Sequence, residues 1–127
     1  MALRIRKTRL IVPEDIRLMK RNRGVSECPL TRCMDLIGAA WAPHIIWYLS
    51  DGPRRFGELR YDIPAISARV LSQRLRELGE LGVVSRTLVD TRPPRTEYEL
   101  TRLGLELVPV VNAIANMGRK LAKRASG

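Results

Sequence analysis

The clearest pattern in the chain is Val70-Leu71-Ser72-Gln73-Arg74-Leu75-Arg76-Glu77-Leu78. Leu71, Leu75 and Leu78 recur at i, i+4 and i+7, the spacing that puts side chains on one face of an α-helix. Ser67 is a good N-cap and Gly82 a good stop, so the spacing predicts a helix from Ala68 to about Leu81. Val70 lies beside the apolar stripe, and the opposite face carries Ser67, Arg69, Ser72, Gln73 and Arg76. Upstream, Cys33, Met34 and Ile37 predict a helix over 31–37 that ends at Gly38 as a C′ glycine. Trp41, Ile45, Ile46, Trp47 and Leu49 predict another over 41–50, apolar on most sides as a buried central helix would be. Asp51-Gly52-Pro53 stops it. A short helix is expected over 55–61 with Phe56 and Leu59 inward, ended by Pro64.

The pattern then changes period. Residues 83–89 are rich in Val and Leu, 90–94 form a Pro-containing turn, and 95–100 alternate polar and apolar. Together they predict a two-stranded hairpin with a basic tip stiffened by Pro93 and Pro94. Thr101 is a candidate N-cap for a last helix reaching about Arg124. Leu103, Leu107, Val110, Val111, Ile114, Met117 and Leu121 share one side of it, and Pro109 inside it is expected to kink or break it. Residues 1–12 read as an arm and 13–22 as a short helix with Ile16, Leu18 and Met19 on its apolar side.

Helix, helix, short helix, polar-faced helix, hairpin and long helix in that order predict a mainly α fold with a small β-hairpin, a winged helix-turn-helix. The helix from Ser67 is then presented outward and the hairpin is the wing. The 127 residues suit one domain over 28–127, preceded by the basic arm 1–27. No apolar run approaches the roughly 20 residues of a membrane span, and the first ten residues lack the apolar core of a signal peptide. The expectation is a soluble, cytoplasmic protein without a membrane partner.

Charge gives the fold a partner. The formal net charge is +10, from 23 basic and 13 acidic residues. It is unevenly spread: residues 1–27 carry eight basic and three acidic side chains, 28–53 one and two, and 54–127 fourteen and eight. The middle reads as scaffold and the flanks as the charged parts, which points first to a polyanion such as double-stranded DNA. Nineteen of the basic residues are Arg, whose donor fork suits phosphate and guanine edges, although GC-rich coding sequence also raises Arg. A major groove admits one helix, so Ser67, Arg69, Ser72, Gln73 and Arg76 are the candidates for base contact. Arg54, Arg55 and Arg74 are the candidates for backbone phosphates. Arg92 and Arg95 at the wing tip could reach a minor groove or backbone.

Chemistry of other kinds is poorly supplied. One His (His44) and two Cys (Cys28, Cys33) cannot make a four-ligand zinc site. His44 sits in an apolar stretch and reads as a packed structural residue. No phosphate-cradling Gly loop or calcium loop appears, so neither catalysis nor a metal or cofactor is expected. Cys28 precedes a helix, whose dipole favours the thiolate, while Glu27 and Asp35 oppose that. A redox role and a plain packing role both remain open for it. The last helix has more apolar positions than one small domain can cover, so symmetric pairing through Leu107, Val110, Val111, Ile114, Met117 and Leu121 is expected.

Several strings resemble the HxlR-type transcriptional regulators of the broader MarR-like group. They are Cys28-Pro29-Leu30, Asp35 to Gly38 with Trp41, Gly52 to Arg60, Ile63 to Ser67, Val70 to Leu78, and Arg95 to Thr101 with Gly104. The resemblance spans about residues 28–120. It implies a homodimeric repressor or activator that pairs through the N-terminal region and the last helix, with the helix from Ser67 as recognition helix. Some members sense oxidants or electrophiles through a Cys at the place of Cys28, while Cys33 lies outside the family pattern. A winged-helix module that binds RNA or a protein, without promoter regulation, is the alternative reading.

Overall fold

In the computed structural model, residues 28–126 are described; the expected arm and helix of residues 1–27 lie outside them. Five helices and three short strands follow one another. They are α1 (Pro29–Ile37), α2 (Ala42–Leu49), β1 (Arg54–Arg55), α3 (Phe56–Asp62), α4 (Ala68–Glu80), β2 (Val84–Val89), β3 (Arg95–Leu100) and α5 (Arg102–Ser126). Helix α2 is the centre. It packs against α1, α3, β3 and α5, and Ala42, Ile45, Ile46 and Leu49 on it are buried. Leu59, Ile63 and Ile66 close the core from one side and Leu71, Leu75 and Leu78 from another. Val83, Val84 and Val111 complete it. Among the described residues no helix is long and apolar enough to cross a membrane.

Helix α4 is built as its sequence dictates. Ser67 Oγ accepts a hydrogen bond from the Val70 N–H at 3.1 Å, capping the start. At the other end Gly82 takes φ 83°, the left-handed conformation that glycine adopts freely. Its N–H donates to the Gly79 carbonyl at 3.1 Å, and Val83 N–H donates to the Leu78 carbonyl at 2.9 Å. That paired closure is a Schellman motif, and it turns the chain straight into β2.

Three expectations need correction. The hairpin of β2 and β3 is extended to an antiparallel sheet of order β1-β3-β2, because Arg54 pairs with Tyr98 and Arg55 with Glu97. A two-residue strand has no period to read, and its partner lies more than 40 residues away in the chain. Gly38 does not take the left-handed C′ conformation: its φ is −75°. It is small for another reason, since a Cβ there would stand 2.7 Å from the Met34 carbonyl oxygen. The left-handed residue is instead Trp41, with φ 71°, immediately before α2. That conformation costs a residue with a Cβ roughly 1–2 kcal/mol. Finally, of the kink or break expected at Pro109, the break does not occur, and α5 is one helix from Arg102 to Ser126. Pro109 and Leu105, whose carbonyl loses its donor, are both exposed, so water can take the place of the missing N–H.

The start of α5 is fastened to the end of α4. Thr101 Oγ1 donates to the Gly82 carbonyl and accepts from the Gly104 N–H at 3.1 Å, while Thr101 N–H donates to the Val83 carbonyl at 3.0 Å. Gly104 is buried at this joint, and a Cβ on it would lie 2.2 Å from the Val83 carbonyl oxygen. Thr101 caps the helix as its place in the sequence predicts, whereas the need for Gly104 arises from a carbonyl distant in the chain.

Candidate nucleic-acid interface

The polar face of α4 is the centre of the site. Ser67, Arg69, Ser72, Gln73 and Arg76 are all exposed, on the side away from buried Leu71, Leu75 and Leu78. Arg69, Gln73 and Arg76 fall at i, i+4 and i+7 and so project side by side. Gln73 Nε2 donates to Glu77 Oε2 at 3.2 Å, which orients the amide along the helix. Glu77 was not a candidate in the sequence. Its other oxygen, Oε1, accepts from Arg74 Nη1 at 3.2 Å, so one carboxylate holds two neighbouring side chains.

Arg74 is itself engaged within the domain. Its Nε donates to the Ala40 carbonyl at 2.8 Å, and its side chain is only 18% exposed. Position 74 belongs to the row of Val70 and Leu78, so it flanks the core and ties α4 to the loop before α2. Two of its guanidinium nitrogens are thus already engaged, by the Ala40 carbonyl and by Glu77. Arg54 is similarly engaged. It lies in β1, one residue before the Arg55 N-cap of α3, with Nε 3.5 Å from Asp62 and Nη2 3.8 Å from Asp51. Two carboxylates therefore stand beside its guanidinium. Arg55 is looser, with a half-exposed side chain and Nε 3.7 Å from Glu58.

Glu58 caps α3. The Arg55 N–H donates to Glu58 Oε1 at 2.8 Å. That backbone hydrogen bond, with the nearby Arg55, Arg54 and Arg95 charges, holds the carboxyl below its ordinary range. A carboxyl whose folded value is depressed stabilises the fold at neutral pH, and that contribution is lost as pH falls through the folded value.

The wing is basic at its tip. Arg92 is exposed, and Arg95 Nε sits 3.3 Å from Glu97 Oε2. Thr91 Oγ1 donates to the Pro93 carbonyl at 2.8 Å and shapes the turn.

Away from this face, α5 divides its apolar residues between two surroundings. Val111 is 4% exposed in the domain's own core, and Leu107 packs beside it. Val110, Ile114, Met117 and Leu121 are exposed, as are Leu30 and Met34 on α1. Val111 therefore leaves the set of residues available to a second copy. Cys28 is exposed at the N-cap of α1 with no side-chain capping bond, and Cys33 is half-buried; both are free thiols. His44 is exposed rather than packed inside, edge-on to Trp41 with ring centres 4.8 Å apart.

A helix-turn-helix of α3 and α4 with its wing is the architecture of a class of nucleic-acid-binding regulators. Residues 36–126 match the model of the HxlR-like helix-turn-helix family, and the chain belongs to that family. It is a transcriptional regulator of the helix-turn-helix type. An HTH-type transcriptional regulator of Bacillus subtilis (strain 168), YdeP, is 38% identical over 97 residues, covering 76% of each chain. The redox regulator HypR in its reduced form is similar in structure, with 34% identity and a TM-score of 0.72 over 77% of this chain and 97% of that one. The reduced form of the transcriptional regulator YodB from B. subtilis aligns over 70% of this chain and 88% of that one. Its identity is 36% and its TM-score 0.65.

Proposed function

We propose that the chain is a cytoplasmic regulator that binds double-stranded DNA as a homodimer and reads a pseudo-palindromic operator, acting by binding and not by catalysis. The observation that carries this is the α4 face: five polar or forked side chains, exposed together, backed by a buried Leu stripe. Ser67, Arg69, Ser72, Gln73 and Arg76 enter the major groove, with the two serines allowing close approach. Arg92 and Arg95 reach the adjacent minor groove or backbone, and Arg55 reaches a phosphate. Two α4 helices about one helical turn apart (~34 Å) then meet successive major grooves. The domain 28–127 does this work, and the basic arm 1–27 adds non-specific affinity.

Arg76 is the sharpest test. Arg76→Ala costs about 1–3 kcal/mol on an operator obtained by in vitro selection and relaxes preference at one base position per half-site. Unchanged affinity and preference would remove α4 from the reading role. Competition between duplex DNA and structured RNA at physiological salt separates this reading from an RNA-binding module. Stronger retention by RNA would decide for the latter.

A second reading concerns control of the same site. Cys28 is an exposed thiol at a helix N-terminus, and the structurally similar HypR is a redox regulator. Oxidation at Cys28 then changes operator binding. Diamide shifts the DNA-binding curve of the wild type and leaves that of Cys28→Ser unmoved; equal curves for the untreated and treated wild type would end this reading.

A further inference from the structure

The apolar stripe of α5, exposed except at half-buried Leu107, has a spacing that says more than that the helix is sticky. Leu103, Leu107, Val110, Ile114, Met117 and Leu121 follow at steps of four and three residues in alternation. That is the period of a two-helix seam, in which these are the inward positions. The flanks of the seam are unlike. Gly104 and Val111 on one flank are buried in their own domain, while Glu106, Ala113 and Lys120 on the other are exposed. From Asn116 to Ser126 every residue is exposed, so the C-terminal part of α5 stands clear of the domain.

Charge along the helix is polar in the directional sense. Glu106 is the only acid between residues 102 and 126, and Arg119, Lys120, Lys123 and Arg124 crowd the far end. Resting on the dimer reading above, we propose that two copies of α5 pair antiparallel, in the register that sets Glu106 of one copy beside Lys120 of the other, twice by symmetry. A parallel pair would set four cations against their own copies. The antiparallel pair separates the two basic ends and gives each its one available acid.

The register follows from the apolar layers. Val110 against Ile114, Leu107 against Met117, and Leu103 against Leu121 make every layer apolar on both sides. The same alignment brings positions 106 and 120 to within about two residues along the axis, ~3 Å at 1.5 Å rise per residue. A slip of one heptad either way leaves an apolar end uncovered and sets Glu106 beside Ala113 or beyond Lys120. The two-fold axis crosses the pair at right angles, so the flank bearing Gly104 and Val111 faces the same way in both copies. Both domains then hang on one side of the pair, where two α4 helices can address one duplex.

Charge exchange tests this, with association measured by sedimentation at low salt and with thiols kept reduced. Glu106→Lys and Lys120→Glu each set like charges together twice per dimer and weaken association roughly tenfold. The double exchange restores it to within about threefold. All three keep the wild-type circular dichroism, because both side chains are exposed. If the single exchanges leave association unchanged, or the double fails to restore it, the antiparallel register is overturned. Ile114→Asp then separates the two ideas: splitting the dimer leaves pairing through α5 standing in another register, and an intact dimer removes α5 pairing altogether.

Discussion

Ile114→Asp converts the protein to a monomer that keeps its fold and loses operator affinity by about 100-fold or more. Ile114 is 46% exposed and makes no part of the buried core, so the domain has no reason to unfold. In the pair it lies in a central layer. A carboxylate there is stripped of water and set near its own symmetry copy, so one substitution counts twice. A monomer presents one α4 to one half-site. The second contact then ceases to be intramolecular, and the advantage of effective concentration disappears. Sedimentation velocity reads the mass and a gel shift reads the affinity. A dimer of unchanged strength would place the contact between copies elsewhere.

Gly104→Ala lowers stability by about 3 kcal/mol, at the upper end of the usual cost of overpacking. The added Cβ would stand 2.2 Å from the Val83 carbonyl oxygen and 3.1 Å from two Leu100 side-chain carbons. The carbonyl cannot move aside, because it also accepts from the Thr101 N–H. Helix α5 must lift instead, loosening the cap that Thr101 provides. For a domain of this size the loss lowers Tm by on the order of 15 °C. Gly57→Ala is the control: a Cβ there meets nothing within 4 Å, and the helix gains up to about 1 kcal/mol. Equal Tm values for the two variants would show that the close approach at Gly104 is not what holds the joint.

Most of the fold was legible because its signals are local. Ser67, the Leu71–Leu75–Leu78 stripe and Gly82 define α4 without reference to anything else. Alternation and the Pro pair define the hairpin. What was not legible depends on partners distant in the chain. The strand formed by Arg54 and Arg55, just ahead of α3, is hidden because its pairing with Tyr98 and Glu97 leaves no mark on neighbouring residues. Arg74 reads as one more cation on a basic helix, and only the Ala40 carbonyl shows that it faces inward. The apolar side of α5 could be seen but not divided, since residues for the domain's own core and for a second copy share one helical face. Val111 and Val110 are adjacent in sequence and opposite in fate.

The joint at Thr101 and Gly104 makes the long helix and the reading helix parts of one solid body. The α4 exit, the first residues of β2 and the α5 start are bound there by backbone hydrogen bonds, with no slack chain between them. In the proposed pair no loop inside a domain can adjust the distance between the two reading heads. The crossing angle of the two long helices sets that gauge. A small change of angle at the seam, from whatever chemical cause, swings both heads together and alters the half-site spacing that the protein will accept.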